Sequence, residues 1–350
     1  MTSITGAQSV ITSKIGGTYG TANAVSMGDK MEVESLAFNR SPEELTANPI
    51  GSGNVMASDS QQGATTPVIT VEKIENYDDS GTALEALFVG QDRVVNMGGG
   101  SFMHSLIDTG TINSSFTTMA WQYAAQSVME AASCVVTKLT HTYENPPNYG
   151  KVSIELLAND IIVESTTNSY ANLASTTVRD STRVVAQPTA EFLINGQSGS
   201  ALVSPTHRYA ITSLVSTRTK AQSSPREFKG SSGNGQPIPT GSPPYEATLT
   251  VTLKSLEDVT FFRAARAGTE YKASFTITDT TLIGNGNYRM IVRHWPRLKL
   301  VTDPEYGLSE AGINPLTLNF KCLVATSNPT GMISTYPYAL IQNSTYSGYM

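Results

Sequence analysis

Histidines and paired carboxylates are the side chains from which catalytic and metal sites are most often built, and this sequence holds few of them. No histidine has a second histidine two or four residues away, the spacing that places two ligands on one face of a strand or helix. This spacing favours surface or packing roles over a zinc site. The histidines are His104, His141, His207 and His294.

Two pairs of neighbouring carboxylates suggest acid–base chemistry at first sight. Glu43 and Glu44 fall in a segment without apolar periodicity, which predicts a loop. Asp78 and Asp79 precede a short helical pattern, where a helix N-terminus favours negative charge. Both placements favour structural roles over catalysis.

The local signatures of common enzyme classes are missing from the sequence. It contains no HExxH, GxSxG, GxxxxGK[ST] or GxGxxG. Glycine clusters at 51–53, 98–100 and 284–286 lack the following helix that a phosphate cradle needs, so they are predicted to be turns. The sequence therefore predicts a protein that is not an enzyme, without catalytic, cofactor-binding or metal-binding residues.

Aromatic residues offer one alternative binding chemistry. Trp121 and Trp295, together with Tyr288 and Phe275, could line a sugar-binding groove. Large aromatic side chains in a β-rich chain are more often part of the core. We therefore predict core positions and keep the groove as the alternative.

Composition and charge narrow the function further. Charged residues make up 15% of the 350 residues and the formal net charge is −6. A protein that binds nucleic acid tightly needs clustered Lys and Arg to displace counterions from phosphates. DNA could pass this protein but is not expected to bind it.

The two cysteines, Cys134 and Cys322, each lie in an apolar, strand-like run. This placement favours buried free thiols over a disulfide or a metal site. The first residues lack a signal-peptide pattern, and no run approaches about 18 apolar residues. We expect a chain without a membrane span that folds in a cytoplasm.

The elements that would position any site are mainly strands. Alternating patterns predict strands at 31–38, 66–74, 133–143 and 150–160. A short helix is predicted at 78–90, ended by Gly90. Residues 91–129 give no clear pattern.

A second set of elements follows the order of the first. Leu214 and Leu36 are 214 − 36 = 178 residues apart, and the same offset aligns Thr70 with Thr248. Each half reads as strand, long loop, strand and short helix, and the second helix is predicted at 255–268. Repetition of this order predicts a tandem duplication, with chance similarity between Ser- and Thr-rich strands as the alternative.

The duplication defines a predicted division of the chain. The fold is expected to be mainly β, a β-sandwich or half-barrel domain with one short flanking helix, present twice. The predicted segments are an N-terminal arm at 1–30, the first copy at 31–180, the second copy at 187–328 and a C-terminal extension at 329–350.

With this pattern, the chain resembles the two-domain tail tube proteins of long-tailed bacteriophages. The resemblance covers nearly the whole chain and departs from the family after Asn328. In the first half it rests on GGTYGTA (16–22), SLAFNRSPEE (35–44), TPVITVEKI followed by ALEALFVG, and SCVVTKLTHTYENPPNYGKVSIELLAND; in the second half it rests on SLVSTRTKAQ, ATLTVTL and RLKLVTDPEYG.

The resemblance implies a structural subunit that assembles into stacked rings around a conduit for DNA ejection. It implies that strands of neighbouring domains close an inner barrel and that a long loop reaches the adjacent ring. The partners would be other copies of the chain, three per pseudo-hexameric ring with six chains per ring as the alternative, and other tail proteins at the tube ends. The location would be the virion tail, assembled in the host cytoplasm.

Two rival functions stay open at this point. A carbohydrate-binding or adhesin module would use a similar β-sandwich, and a hydrolase would need an active site assembled from distant residues. We further expect that the loops at 47–64 and 223–244 contact the next ring. The tyrosine-rich residues 336–350 are expected to lie on a neighbouring subunit, with a frayed terminus as the alternative.

Overall fold

A computed structural model describes most of the chain. The described residues are 10–39, 42–47, 59–65, 67–108, 115–124, 126–144, 148–186, 188–223, 235–240, 245–254, 260–302, 305–306, 315–344 and 348–349.

The described elements are strands and short helices. The strands of the first half are β1 Ile11–Gly16, β2 Lys30–Met31, β3 Ser35–Asn39, β4 Pro42–Ala47, β5 Asp59–Thr65, β6 Val68–Ile74, β7 Asn76–Asp78, β8 Asp92–Gly98, β9 Ser101–Ile107, β10 Phe116–Ala124, β11 Ser127–Glu144, β12 Lys151–Leu157, β13 Asp160–Val163 and β14 Asp180–Arg183. Those of the second half are β15 Glu191–Gly196, β16 Arg208–Tyr209, β17 Ile211–Lys220, β18 Gln222–Ser223, β19 Ile238–Pro239, β20 Tyr245–Leu253, β21 Glu270–Gly284, β22 Asn287–Leu300, β23 Glu305–Tyr306, β24 Leu316–Cys322 and β25 Tyr338–Asn343. The helices are α1 Ser80–Val89, α2 Tyr170–Ala174 and α3 Thr260–Ala267.

The predicted mainly β fold is confirmed, with 58% of the residues in strands and 7% in helices. No described helix is long and apolar enough to cross a membrane. The strands predicted from alternation appear as β3, β6, β11 and β12. In β6, β12 and the last part of β11, buried and more exposed residues alternate with a period of two, which is the pattern of a sheet covered on one face.

Eight strands form one continuous antiparallel sheet that runs through both halves, here called the long sheet. Its order is β3, β6, β12, β11, β17, β20 and β24. The eighth position is filled by the end of β22 and then by β23, both of which pair with β24. The first four strands belong to the first half and the others to the second. The pairing of β11 with β17, here called the seam, joins the halves through their backbones.

A second layer of strands grows from the two longest strands. The first part of β11 pairs with β10 and β13, and β10 pairs with β1. In the second half, β22 pairs with β21 from Asn287 to Lys299 and, in its first part, with β25, and β21 pairs with β15. Because β11 and β22 each belong to both layers, they fix how the layers face each other around the core.

The order of pairing is the same in the two halves. The path β3–β6–β12–β11–β10–β1 of the first half is repeated as β17–β20–β24–β22–β21–β15 in the second. One difference is the β8–β9 hairpin after α1, since only two residues separate α3 from β21. The duplication stays a prediction, and this repeated order supports it.

Helix α1 ends as predicted and is more deeply buried than predicted. Asp79 caps its N-terminus by accepting the backbone N–H groups of Gly81 and Thr82, and Gly90 ends it at φ 87°. All ten residues are buried, although the sequence indicated one apolar face. The helix therefore lies inside the core instead of on a flank, and any charge on it must find a partner there.

Both chain ends contribute strands to the sheets, unlike the predicted arm and extension. Ile11–Gly16 pairs with β10, and the hydroxyl of Thr12 donates to the carbonyl of Ala120 at 3.0 Å. Buried hydroxyls bonded across the strands explain why this segment lacks an apolar period. Tyr338–Asn343 lies between β22 and β9 of the same chain, although we expected a neighbouring subunit.

The predicted long loops are only partly described. Asp59–Thr65, mostly inside the first predicted loop at 47–64, forms β5 and pairs with β4, so that part of the loop prediction is wrong. Residues 48–58 lie outside the described residues. In the second predicted loop, 223–244, the described parts include β19, which pairs with β18. Residues 224–234 and 241–244 lie outside the described part.

Candidate functional site

The sequence-predicted candidates for chemistry are dispersed through the fold. His104 is buried beside Asp92 at 3.2 Å, and His294 stacks on the ring of Tyr338. Burial lowers the pKa of His294 to about 4, so this side chain is neutral at pH 7. His207 accepts the backbone N–H of Val203. His141 alone lies in a cluster of charged side chains.

Asp79 takes the predicted place at a helix N-terminus, whereas Asp78 ends strand β7. Asp79 is the N-cap of α1, and its Oδ2 lies 2.6 Å from the Nζ of the buried Lys73. Asp78 accepts the hydroxyl of Tyr349 at 2.9 Å. Glu43 and Glu44 were predicted to lie in a loop, but they lie in strand β4, of which the structure describes the backbone and not the side chains.

Three of the four aromatic residues proposed for a groove are core residues, as predicted. Trp121, Trp295 and Phe275 are each no more than 3% exposed. Tyr288, near the start of β22, is 42% exposed, whereas Trp295 of the same strand is buried. These four residues therefore do not line one sugar-binding surface.

A buried charge cluster joins the halves behind the long sheet. It consists of Glu75, Glu85 and His141 from the first half, and Arg218 and Arg293 from the second. The guanidinium of Arg293 donates to Glu75 Oε1 at 2.5 Å and to Glu85 Oε1 at 2.7 Å, and Arg218 also donates to Glu85. Each of the five residues is at most 5% exposed.

Charges in this cluster balance when His141 is neutral. Burial opposes ionisation of Glu85, but Arg293, His141 and Arg218 together outweigh it and hold the pKa of this carboxyl well below its usual range. Burial, reinforced by Arg293, lowers the pKa of His141. Two carboxylates then face two guanidinium groups, which is the arrangement that makes buried charge tolerable.

The same cluster contains the only metal-ligand grouping found among the described residues. Ligand atoms of Glu75, Glu85 and His141 lie within 4.8 Å of one another. Arg218 and Arg293 already neutralise both carboxylates, so a divalent cation would add an uncompensated buried charge of about +2. The electrostatics favour a structural cluster over a metal centre.

His141 should make stability depend on pH. Its pKa in the folded protein is lowered, so the folded chain binds fewer protons than the unfolded chain below about pH 6.5. Stability contributed by neutral His141 is therefore complete above about pH 6.5 and is lost as the pH falls. We expect His141→Gln to show a smaller loss of thermal stability than the wild type between pH 7 and pH 5. Equal losses in both proteins would contradict this role.

Sequence reasoning missed the cluster, although a signal for it was present. In β17, Arg218 and Lys220 follow Leu214 at intervals of two, so they share the buried face of the strand. Lys73 occupies the same face of β6 as Val71. A charge at a buried position of an alternating strand predicts a buried partner, but the identity of that partner depends on the tertiary fold.

The other face of the long sheet is solvent-exposed and polar, and we call it the polar face. Directly paired residues share a face, so rows of side chains can be followed across the strands. One row runs through Ser35, Glu72, Ser153, Thr140, Thr217, Thr248, Lys321 and Lys299. The next runs through Ala37, Thr70, Glu155, Lys138, Thr219 and Glu246.

Hydroxyl groups and balanced charges cover the polar face. Thr140 and Thr217 are bonded across the seam at 3.2 Å, and the hydroxyl of Thr250 donates to Asn319 at 3.0 Å. The two rows carry three carboxylates, Glu72, Glu155 and Glu246, against three ammonium groups, Lys138, Lys299 and Lys321. Such a surface is well hydrated and has no concentration of one charge.

A groove of about 490 Å³ opens at one end of the seam. Its wall combines the aromatic rings of Tyr143, Phe192 and Tyr209 with the charged pair Arg208 and Glu191, which lie 4.0 Å apart. This volume falls in the range of small-molecule sites. The groove, the polar face and the buried charge cluster are the candidate functional features of the fold.

No protein-family model and no curated protein sequence matches this chain.

Proposed function

We propose that the chain is a structural subunit of a bacteriophage tail tube, whose copies assemble into stacked rings that form a conduit for DNA. The observation that carries this proposal is the long sheet. It passes through both halves. Within the described residues it ends in β3 on one side and, on the other, in the end of β22, where β21 pairs with the second edge as far as Lys299. Where a sheet ends in free edge positions on both sides, it can continue from copy to copy around an axis.

The polar face suits the wall of such a conduit. Tight binding of DNA requires clustered Lys and Arg against the phosphates. Carboxylates stand beside the lysines here, as where Glu155 and Lys138 are direct cross-strand neighbours. Hydrated hydroxyls and alternating charges would let DNA move past without a strong attachment.

Three chains per ring follow from the repeated order of pairing. If both halves occupy equivalent positions around the axis, six positions are filled by three chains. The seam then repeats as the contact between chains. Other tail proteins at the tube ends, the virion as location and assembly in a host cytoplasm belong to the same proposal.

Electron microscopy of the purified protein at high concentration tests this function. We expect rings or stacked tubes with threefold symmetry and six similar inner lobes. True sixfold symmetry of the whole subunit would contradict three chains per ring, while leaving the tube function intact. A protein that stays monomeric at high concentration, with no rings or tubes, would contradict the tube function itself.

The groove at the seam favours a second candidate, a carbohydrate-binding module. Tyr209 in its wall is partly exposed and offers a ring for sugars, and Arg208 and Glu191 offer hydrogen bonds. A glycan array probed with the monomer tests this candidate, with Tyr209→Ala as the variant expected to lose binding. Tyr288→Ala, which changes an exposed tyrosine outside the groove, is the matched control.

A further inference from the structure

Asparagine followed directly by glycine occurs in this chain at 195–196, 234–235 and 285–286. Such a pair can react with itself, because the backbone nitrogen of the glycine can attack the side-chain amide of the asparagine and no glycine side chain stands in the way. Residue 234 lies outside the described residues. The structure therefore allows a comparison of the pair at 195–196 with the pair at 285–286.

The side chain of Asn195 is held against the backbone nitrogen of Gly196. The Gly196 N–H donates to Oδ1 of Asn195 at 2.7 Å, and Nδ2 of Asn195 donates to the carbonyl of Ser200 at 3.1 Å. Because a carbonyl bond is about 1.2 Å long, the Gly196 nitrogen lies within about 4 Å of Cγ of Asn195. Reacting atoms in near-attack geometries are about 3–3.5 Å apart, so only a small rotation separates this contact from attack.

The pairing of β15 leaves this nitrogen and its surroundings free. The next residue, Gln197, donates its N–H to the carbonyl of Glu270, and in an antiparallel pair the N–H of the preceding residue points the other way. Gly196 ends β15, and a Cβ built on it would meet no atom within 4 Å. The reaction therefore does not have to break a hydrogen bond between strands.

Asn285 is held in a different way. It lies at the tip of the β21–β22 hairpin with φ 47°, between Gly284 and Gly286. A Cβ on Gly99 of the β8–β9 hairpin would stand 2.5 Å from Cβ of Asn285 and 2.7 Å from its backbone nitrogen, so the two tips are in close contact. Within the part of the chain that the structure describes, the Gly286 N–H makes no hydrogen bond to the Asn285 side chain. Asn285 is therefore an internal control for Asn195.

A buried ammonium group lies beside Asn195. Asn195 and Lys272 are direct partners in the pairing of β15 with β21, so their side chains share a face. Gly199 is close to both, because its carbonyl accepts Nζ of Lys272 at 2.7 Å and a Cβ on it would stand 2.9 Å from Nδ2 of Asn195. The two side chains therefore meet at the turn that follows β15.

Lys272 has acceptors but no ion pair among the described residues. It is 0% exposed, and its Nζ donates to the carbonyls of Gly199 and Thr330. Burial lowers the pKa of this ammonium group. A buried charge is tolerated best when an opposite charge faces it, so a carboxylate at position 195 would supply what this site lacks.

We propose that Asn195–Gly196 is a self-modification site, which converts Asn195 into a carboxylate partner for Lys272. The Gly196 nitrogen loses its proton and bonds to Cγ of Asn195, the Cγ–Nδ2 bond breaks, and Nδ2 leaves as ammonia with that proton. Water then opens the succinimide ring. Opening to aspartate keeps the backbone length and the hydrogen bond from Gln197 to Glu270, whereas isoaspartate lengthens the backbone, so we expect mainly aspartate. The reaction needs only water and does not depend on the proposed function.

Peptide mapping by mass spectrometry during storage of the folded chain at mildly alkaline pH tests the modification. Deamidation adds about 1 Da, and we expect Asn195 to convert about tenfold faster than Asn285 in the same molecules. Gly196→Ala is the matched variant, because the added methyl group has space in the fold but hinders the attack, and it should slow conversion about tenfold. Conversion of Asn195 no faster than that of Asn285 would overturn the proposal.

The same spectra distinguish a different nucleophile. If Lys272 attacked the Asn195 side chain instead, the chain would show a lasting loss of about 17 Da with residues 195 and 272 joined in one peptide. This result would overturn the role of Gly196. Conversion to aspartate with separate peptides would support it.

The pairing with Lys272 is tested by supplying the product directly. Asn195→Asp should raise the urea midpoint at pH 7, because the new carboxylate faces the buried ammonium group. The pairing holds the pKa of the carboxyl below its usual range, so this gain should be lost as the pH falls through that lowered pKa. Asn285→Asp makes the same chemical change away from Lys272 and should give no gain. Equal midpoints for the two variants, or a lower midpoint for Asn195→Asp, would overturn the pairing.

Discussion

Replacing Glu85 with Gln is expected to lower the free energy of unfolding by about 3–5 kcal/mol, because it removes the negative partner of a buried ion pair and leaves the positive partner buried. The substitution keeps the shape of the side chain and removes its charge. Arg218 and Arg293 would remain buried with Glu75 as the one carboxylate in the cluster. Loss of a charge partner in a low-dielectric core costs more than the pair contributes in water.

A matched control separates this effect from a general loss of negative charge. Glu34 pairs with Lys151 at 3.0 Å, but the Glu34 and Lys151 side chains are 41% and 56% exposed. Glu34→Gln should therefore change stability by less than about 1 kcal/mol. Urea unfolding of the two variants and the wild type measures the difference. A Glu85→Gln midpoint equal to that of Glu34→Gln would show that the cluster does not stabilise the fold.

The position of the cluster adds a second readout. Its carboxylates belong to the first half and its guanidinium groups to the second, and His141 and Arg218 lie on the two strands that meet at the seam. Lys220 extends the same contact by donating to the carbonyl of Phe88 at the C-terminal end of α1. Glu85→Gln should therefore speed amide exchange at the seam more than at β6 or β20. Uniform acceleration would mean that the cluster stabilises both halves without coupling them.

Local signals in the sequence were sufficient to predict some helices and strands of this fold. The limits of α1 follow from Asp79 at one end and Gly90 at the other, and both act within a few residues of the backbone they cap. Strand β6 was predicted because Ile69 and Val71 alternate with polar residues. These features depend on spacing that can be read along the chain.

Other elements depend on contacts that spacing does not reveal. Strands β8, β9 and β10 occupy the region without a clear pattern, and β8 is exposed on both faces at several positions. Strand β1 buries Thr12 and Ser13, whose hydroxyls bond to β10 more than 100 residues away. The polar face was equally hidden, since its Thr and Ser residues form a surface only after the strands are in register.

The contacts of the C-terminal residues were also not predictable from residue spacing. One of these residues, Tyr349, carries the second large expected effect on the free energy of unfolding. Tyr349 is 6% exposed and fills a polar site of its own chain, although its segment was expected on a neighbouring subunit. Its hydroxyl donates to Asp78 at 2.9 Å and accepts from Asn343 at 2.7 Å. Its backbone N–H donates to Asp92, and its ring lies 4.6 Å from the ring of His104.

Replacing Tyr349 with Ala should lower the free energy of unfolding by about 3–5 kcal/mol, as for other buried aromatic side chains. Tyr288→Ala is the control, because Tyr288 is 42% exposed and its removal should cost about 0.5 kcal/mol or less. If the segment belonged on a neighbouring subunit instead, Tyr349→Ala would leave the monomer as stable as the control and weaken assembly.

Replacing Tyr349 with Phe isolates the hydroxyl and makes the cost depend on pH. Burial raises the pKa of Asp78 to about 6, and the hydrogen bond from Tyr349 partly opposes that rise. A carboxyl whose folded pKa is raised favours the folded state at low pH and loses that contribution as the pH rises through the folded pKa. Without the hydroxyl the pKa of Asp78 rises further, so the loss is larger. Tyr349→Phe should therefore cost about 1–3 kcal/mol at pH 7.5 and clearly less at pH 5. Urea unfolding at the two pH values measures the difference, and an equal cost at both would show that the hydroxyl does not stabilise ionised Asp78.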